Sequence, residues 1–533
     1  MSTIYAILFL PFLSIFLMAP SNPLQHSYLH CLSLNSEPSY PISTLTYFPN
    51  NPSYKPILES YIRNLRFNST TTPKPSFILT PTHVSHIQAS IICCKKFDLE
   101  LRIRSGGHDY DGLSYVSQAK FIVLDMFLMR SVVVNMEDEG TVWIDSGATI
   151  GELYYRIHEK SKVHGFPGGV CPSVGVGGHF SGGGYGNLMR RFGLSVDNIL
   201  DAIIVDANGR VLDRKSMGED LFWAIRGGGG ASFGVVVSWK IKLVPLPKVV
   251  TVFRVEKTLE QGATDIVHHW QHVADKVHDG LFIRIVLNPV KKEGFKTIKA
   301  RFNALFLGNS EELVSIMNEN LHELDLVYEQ CIEMSWIDSV LFWYNYPLGT
   351  SVDVLLERKP KSENFLKRKS DYVQKPISKT DLESIWKKMM ELEKPVLTFN
   401  PYGGKMSEIS EVETPFPHRV GNIYKIQYSV NWNEESDYVA NEYLDKIRRL
   451  YDFMSPYVTK SPRSSYLNYR DVDLGVNEYG NESYGEASVW GQKYFKGNFD
   501  RLVYVKTMVD PSNFFRYEQS IPTHASWINV ASE

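Results

Sequence analysis

Surplus charge is what this 533-residue chain lacks first: 59 acidic residues face 56 basic ones, for a formal net charge of −3. Nucleic acid is held by clustered cations, so no nucleic-acid partner is expected. The one basic run, Arg358-Lys-Pro-Lys361 continuing to Lys367-Arg-Lys369, has acidic neighbours and reads as a solvated loop. Long apolar runs are equally scarce. The first, Ile4 to Ala19, is interrupted by Pro11 and is short for a membrane helix. It fits a secretory signal peptide over residues 1–25, cleaved between about Ala19 and Ser27, although it lacks a basic n-region and a clean Ala-x-Ala site. No second run is long enough to span a bilayer, so a soluble product of the secretory pathway is expected, bound for the cell exterior, the cell wall or the vacuole.

Cysteine is sparse as well, with five in the whole chain: Cys31, Cys93, Cys94, Cys171 and Cys331. An oxidising compartment permits disulfides, and an odd total leaves at least one thiol unpaired. Cys31 could tether the mature N-terminus to Cys93 or Cys94. Sequons at Asn68 and Asn481 agree with the same route. There is no internal repeat, no low-complexity tract and no metal-ligand motif. With 43% hydrophobic and 22% charged residues, the composition is that of a globular protein large enough for two or three cores.

Glycine, by contrast, is concentrated around two soft nucleophiles. His108 stands in Arg104-Ser-Gly-Gly-His-Asp-Tyr, and Cys171 in Gly168-Gly-Val-Cys-Pro-Ser-Val-Gly-Val-Gly-Gly. Glycine lets backbone N–H groups approach a ligand closely, and successive N–H groups make a concave anion site suited to a pyrophosphate. A nucleophile beside such a cradle can bond a cofactor. Each residue alone also has a plain reading, His108 as a hydrogen-bonded turn residue and Cys171 as a buried thiol. A dinucleotide-binding Rossmann turn does not fit, because the glycines are spread over three loops with no βαβ succession around them.

Up to about residue 247 the pattern predicts short elements: a helix from Val84, strands at Leu99 to Arg104, Phe121 to Asp125 and Val142 to Asp145, and a helix over Ile150 to Lys160. Asp201 to Leu212 reads as a hairpin with an Asn-Gly turn, followed by a strand from Val235 to Leu243. Pro245-Leu-Pro247 marks a boundary. From 248 to 455, amphipathic helices (Thr264 to Val277, Ser310 to Leu324, Asp381 to Glu393) alternate with strands. That alternation suggests a mixed sheet with helices on one face and a ligand on the other. Residues 456–533 form an aromatic, loop-rich tail.

The two nucleophile loops, together with Gly182-Gly-Gly-Tyr-Gly, Asp220-Leu-Phe-Trp-Ala-Ile-Arg-Gly-Gly-Gly-Gly and Asp510-Pro-Ser-Asn-Phe-Phe-Arg-Tyr, closely resemble the plant berberine bridge enzyme-like flavoproteins, from about Cys31 to Pro522. The resemblance implies an α+β fold of the vanillyl-alcohol oxidase type. Its FAD-binding domain is assembled from residues 26–247 and a returning segment, 456–533. A central substrate domain, 248–455, carries an antiparallel sheet covered by helices. FAD is then attached twice, through His108 and Cys171, which in this family raises the flavin potential. Arg104, Ser105, Gly106, Gly107, Ser173, Val174, Gly177, Gly178 and Asn513 fall on cofactor-binding positions. The resemblance also implies a Cys31–Cys93 bridge, leaving Cys94 and Cys331 free and buried.

For the substrate side, Tyr469 matches the family's catalytic tyrosine. A free phenol is a poor base at neutral pH unless a cation stabilises its phenolate. Lys425 and Gln427, alternate residues of Tyr424-Lys-Ile-Gln-Tyr, share one strand face. The resemblance places that face over the flavin, where Lys425 would lower the pKa of Tyr469 and Tyr185 completes the set. Alkaloid-oxidising relatives carry a carboxylate in this strand and this chain has none, which argues against amine cyclisation. The expectation is therefore a monomeric oxidase of phenolic, allylic or benzylic alcohols, reoxidised by O2 past Val174 with release of hydrogen peroxide. The alternatives are oligosaccharide oxidation at the anomeric carbon and FAD-bound cyclisation without net oxidation.

Overall fold

The computed structural model describes residues 23–361, 363–478 and 483–524. Almost all of the expected signal peptide and the sequon Asn481 lie outside the described residues. Among them, no helix is long and apolar enough to cross a membrane.

Among the described residues, three larger sheets, a two-stranded one that pairs His164–Gly165 with Val244–Pro245, and their helices build the fold. The first has four short strands in the order Thr46–Tyr47, Ile78–Leu79, Phe121–Asp125, Glu100–Arg104, the last three parallel. Against it pack the helices Pro23–Asn35 and Val84–Lys96, joined by a Cys31–Cys93 disulfide. Cys94 is free and buried, as expected, whereas Cys331 is only half-buried. The second sheet is antiparallel and five-stranded, with Val235–Lys242 between Thr141–Asp145 and Ile199–Val205. The predicted Asn-Gly hairpin is present as the pairing of Ile199–Val205 with Val211–Leu212. Beside this sheet, helix Ile150–Lys160 matches its predicted span. It is closed by a reciprocal cap in which the Thr149 hydroxyl accepts from the Glu152 N–H and the Glu152 carboxylate from the Thr149 N–H.

The third sheet has seven strands, in the order Ile332–Met334, Val250–Thr258, Phe295–Phe306, Leu281–Lys292, Val396–Pro401, Tyr424–Trp432, Phe365–Val373. Every pairing in it is antiparallel, not mixed as the alternation of helices and strands suggested. The helices that pack on it are returns between distant strands and make no parallel crossover. Helices Ala263–Val273, Lys379–Leu392 and Asp437–Phe453 cover one face with buried apolar stripes that include Trp270, Trp386 and Ile447. The first of these stops short of the predicted Val277, and the predicted helix Ser310 to Leu324 ends at Asn320 and continues as a 3-10 turn, His322–Leu324.

The basic run is the largest departure from the sequence reading. Lys367 and Lys369 lie on the edge strand Phe365–Val373, both almost fully buried. Lys367 pairs with Asp111 (2.9 Å) and Asp471 (2.7 Å), and Lys369 with Asp471 (2.6 Å) and Asp473 (2.9 Å). Burial opposes the charge on Lys367, but the three carboxylates outweigh it and raise its pKa. Arg358, at the head of the run, pairs with Glu152 at 2.6 Å. This network ties the loop after His108, the edge strand and the loop after Tyr469 together. The tail also returns to the first part of the chain: Lys506 donates to the Ser232 carbonyl, and Arg102 pairs with Glu518.

Candidate active site

The uncovered face of the seven-stranded sheet looks into a cavity of about 470 Å³ shared with the glycine loops and the tail. Register decides what that face presents. Lys425 stands opposite Asn400 on one neighbouring strand and Tyr372 on the other, and Gln427 stands opposite Thr398 and Ser370. Directly paired residues share a face. Arg284, on Leu281–Lys292, joins the same row by donating from Nε to the Asn400 side-chain oxygen at 2.7 Å.

The tail loop supplies the tyrosine. Residues Leu467–Tyr469 form a 3-10 turn that docks on the glycine segment 182–184. The Asn468 amide donates to the His179 carbonyl (2.8 Å), and the Tyr466 hydroxyl accepts from the Gly184 N–H (3.0 Å). Gly184 has φ +74°, and a Cβ there would press on Ser195 and His179, which explains the glycine run. The Tyr185 and Tyr469 hydroxyls are in direct hydrogen-bond contact. Lys425 Nζ lies 3.3 Å from the Tyr185 ring centroid and 4.4 Å from that of Tyr469, with no hydrogen-bond partner among the described residues. The four expected substrate-side residues are thus brought together, Lys425 behind the rings and the other three on the cavity wall.

The electrostatics differ from the sequence expectation. Tyr469 is held well above the usual phenol value, by burial first and then by Tyr185 and Tyr110. Arg284, rather than Lys425, is the cation that pulls it down. Lys425 is itself pushed well below the usual lysine value by burial and by Arg284. Desolvation disfavours both charged forms. Three residues of this wall went unassigned from sequence. Tyr110, two residues past His108, accepts a hydrogen bond from Gln427 Nε2 (3.1 Å) and is pushed up to about 12 by burial. His179 lines the cavity with its Nε2 unpartnered. Arg284 had no local signal, because only sheet register places it.

Across the cavity stand the two nucleophiles. His108 Nε2 lies 3.1 Å from the Ser173 hydroxyl, and the Cys171 sulfur lies 3.5 Å from the same oxygen. The Cys171 thiol donates to the Tyr344 hydroxyl at 3.7 Å. Burial, helped by Arg63, pushes His108 down to about 3, so its imidazole is neutral across the physiological range. Gly106 packs so closely on Gly175 that a Cβ would strike the Gly175 backbone, and the Ser105 hydroxyl donates to the Ser146 carbonyl. Gly107, Gly177, Gly178 and Val174 complete this wall.

Three cofactor candidates fall outside it. Arg104 is fully buried against Asp125 (2.6 Å) and the carbonyls of Ile57 and Leu58, so it braces the first sheet. Leu101, Arg102 and Ile103 of the same strand line the cavity instead. Asn513 sits in a turn at φ +49°, away from the cavity lining. Ser173 touches His108 and Cys171 through its hydroxyl and does not itself line the cavity.

The site fits FAD on its own evidence. A Cβ at Gly178 would meet nothing within 4 Å, leaving room along the loop. The unpartnered His179 Nε2 and Ser146 hydroxyl are polar groups that a flavin edge or phosphate would satisfy. Among the described residues no cluster could hold a metal ion.

Comparison with known proteins agrees. Residues 75–214 match the family model "FAD binding domain", and residues 465–522 match "Berberine and berberine like". The chain is 54% identical over 526 residues to berberine bridge enzyme-like 8 of Arabidopsis thaliana, covering 97% of this chain and 99% of that protein. It superposes on the solved berberine bridge enzyme-like protein 28 of Arabidopsis thaliana with a TM-score of 0.87 at 46% identity, covering 93% and 99% of the two chains. It also superposes on the grass pollen allergen Phl p 4 with a TM-score of 0.88 at 44% identity, again covering 93% and 99%. With glycine loops, paired tyrosines and whole-chain likeness in agreement, the protein belongs to the berberine bridge enzyme-like family of FAD-dependent oxidoreductases.

Proposed function

We propose that the chain is an oxidase carrying FAD attached at both His108 and Cys171, and that it oxidises a phenolic, allylic or benzylic alcohol of the monolignol kind. One observation carries the substrate half: the Tyr185 and Tyr469 hydroxyls meet at the cavity wall with Lys425 over their rings. Removing hydride from an alcohol carbon is easier when the O–H proton leaves with it. FAD, when bound, accepts the hydride at N5 and passes the electrons to dioxygen, giving hydrogen peroxide. Tyr469 receives the hydroxyl proton. Singly, the buried phenol keeps its proton and the buried amine sheds its own, so the two groups titrate as a coupled pair in which Lys425 gains a proton as Tyr469 loses one. With that proton on Lys425, the ammonium over the ring faces stabilises the phenolate. Gln427, Tyr110 and Arg284 anchor the substrate's far end.

Oxidation of a carbohydrate at its anomeric carbon has separate support. Phl p 4 is described as a glucose dehydrogenase, and an isoleucine-to-valine variant of it as a glucose oxidase. Valine at the half-buried, cavity-lining Val174 supports oxygen as acceptor in either reading. The disulfide supports a secretory route, and glycosylation at Asn68 and Asn481, monomeric behaviour and the domain limits at 247 and 455 belong to the same proposal. The deciding experiment follows flavin bleaching in the purified holoprotein without oxygen, against monolignols, other phenolics, alkaloids and oligosaccharides. Bleaching by monolignols or phenolics alone supports the first reading, and bleaching by sugars alone overturns it for the second. No bleaching by any of them turns the case to a non-redox cyclase.

A further inference from the structure

Ser173 is 2% exposed, and its hydroxyl is shared by the two residues proposed to hold the flavin. His108 Nε2 and the Cys171 sulfur are therefore no farther apart than the two contact distances together. Nε2 is the ring nitrogen that meets the Ser173 hydroxyl, and His108 lines the cavity. We propose that Ser173 is the positioning residue for covalent flavin attachment: its hydroxyl holds the imidazole proton at Nε2, so that Nδ1 presents its lone pair to the flavin. This rests on the doubly attached reading above.

A neutral imidazole carries one proton, and the nitrogen without it is the nucleophile. With Nε2–H donating to Ser173, that nucleophile is Nδ1. The low pKa of His108 keeps the lone pair available. Attachment forms a bond from Nδ1 to the flavin 8α carbon and breaks one methyl C–H bond and the Nε2–H bond. Both protons and the electron pair pass to the flavin, and dioxygen then removes them as hydrogen peroxide. Afterwards Nε2 has no hydrogen and must accept a bond. A hydroxyl can reverse from acceptor to donor where a methyl group offers neither role. The second attachment has the same balance: a bond forms from sulfur to flavin C6, and S–H and ring C–H bonds break. The thiol proton is within reach of two hydroxyl oxygens, that of Ser173 at 3.5 Å and that of Tyr344 at 3.7 Å from the sulfur. Among other hydroxyls nearby, that of Ser105 is committed to the Ser146 carbonyl.

The test compares secreted wild type with Ser173→Ala by acid precipitation of the flavin and by mass mapping of the His108 and Cys171 peptides. We expect the doubly linked fraction to fall at least tenfold in the variant, and a smaller fall or none overturns the proposal. Ser173→Thr against Ser173→Val repeats the comparison at matched shape should the alanine variant fail to fold. Threonine should keep both links and valine lose them, and equal linkage in the two sinks the idea. Wild type without acid-stable flavin defeats the doubly attached reading itself.

Discussion

Replacing Tyr469 with phenylalanine tests the proposed chemistry at its centre. Positioned proton transfer contributes about 10²- to 10⁴-fold to a rate. The structure narrows that range. The Tyr185 hydroxyl touches that of Tyr469, and Lys425 lies 3.3 Å and 4.4 Å from the two ring centroids. Part of the base therefore survives in Tyr185, and the loss should be roughly 10²- to 10³-fold, or about 2.7–4 kcal/mol of barrier. Stability should fall by about 1–3 kcal/mol, because the Tyr185 hydroxyl loses its partner. Flavin attachment should be untouched, since His108 and Cys171 stand on other loops. The assay is stopped-flow flavin reduction without oxygen, using whichever substrate bleaches wild type, with acid-stable flavin measured in parallel. A loss below tenfold, with the flavin fully attached, would remove Tyr469 as proton acceptor.

Lys367→Met removes the buried cation shared by Asp111 and Asp471, leaving Asp111 with Arg66 at 3.5 Å and Asp471 with Lys369, so urea unfolding should show a loss of up to about 3–5 kcal/mol. Adding Asp111→Asn should recover part of it, and no recovery would mean the two are not coupled. Val174→Ile should slow flavin reoxidation by oxygen while leaving reduction unchanged, and equal slowing of both steps would refute an oxygen path there. His418 is fully buried against Tyr372 and is held well below the usual histidine value by burial and by Lys496. Its folded pKa lies under its unfolded one, so the stability it contributes is present above about pH 6.5 and fades as pH falls below that value. The melting temperature should drop from pH 7 to pH 4, and His418→Gln should flatten the slope; an unchanged slope would assign the effect to other groups.

The two nucleophile loops were legible because their signal is contiguous. The segments around His108 and Cys171 fold as loops that meet, and glycines 106 and 175 are required by one close backbone approach. Tyr469, Lys425, Gln427 and Tyr185 were legible through motif likeness, although their electrostatics were not. Arg284 reaches the site only through strand register and its bond to Asn400. Arg104 and Asn513 misled in the other direction: both lie in the right motifs, yet one side chain turns to Asp125 and the other sits in a turn off the cavity. The basic run misled because the partners that make burial tolerable for Lys367 and Lys369 lie 256 and 102 residues away.

What the amino-acid order alone determined is local: helix caps, the Asn-Gly hairpin, the glycine loops and the nucleophiles within them. Backbone conformation and loop chemistry are set by near neighbours in the chain. Only the tertiary structure decided which charges are buried in pairs, which strand faces the cavity, and that Lys425 and Tyr469 share a site in which neither readily holds a charge alone. Desolvation and Coulomb interaction act through space, and the space is made by strands and loops hundreds of residues apart.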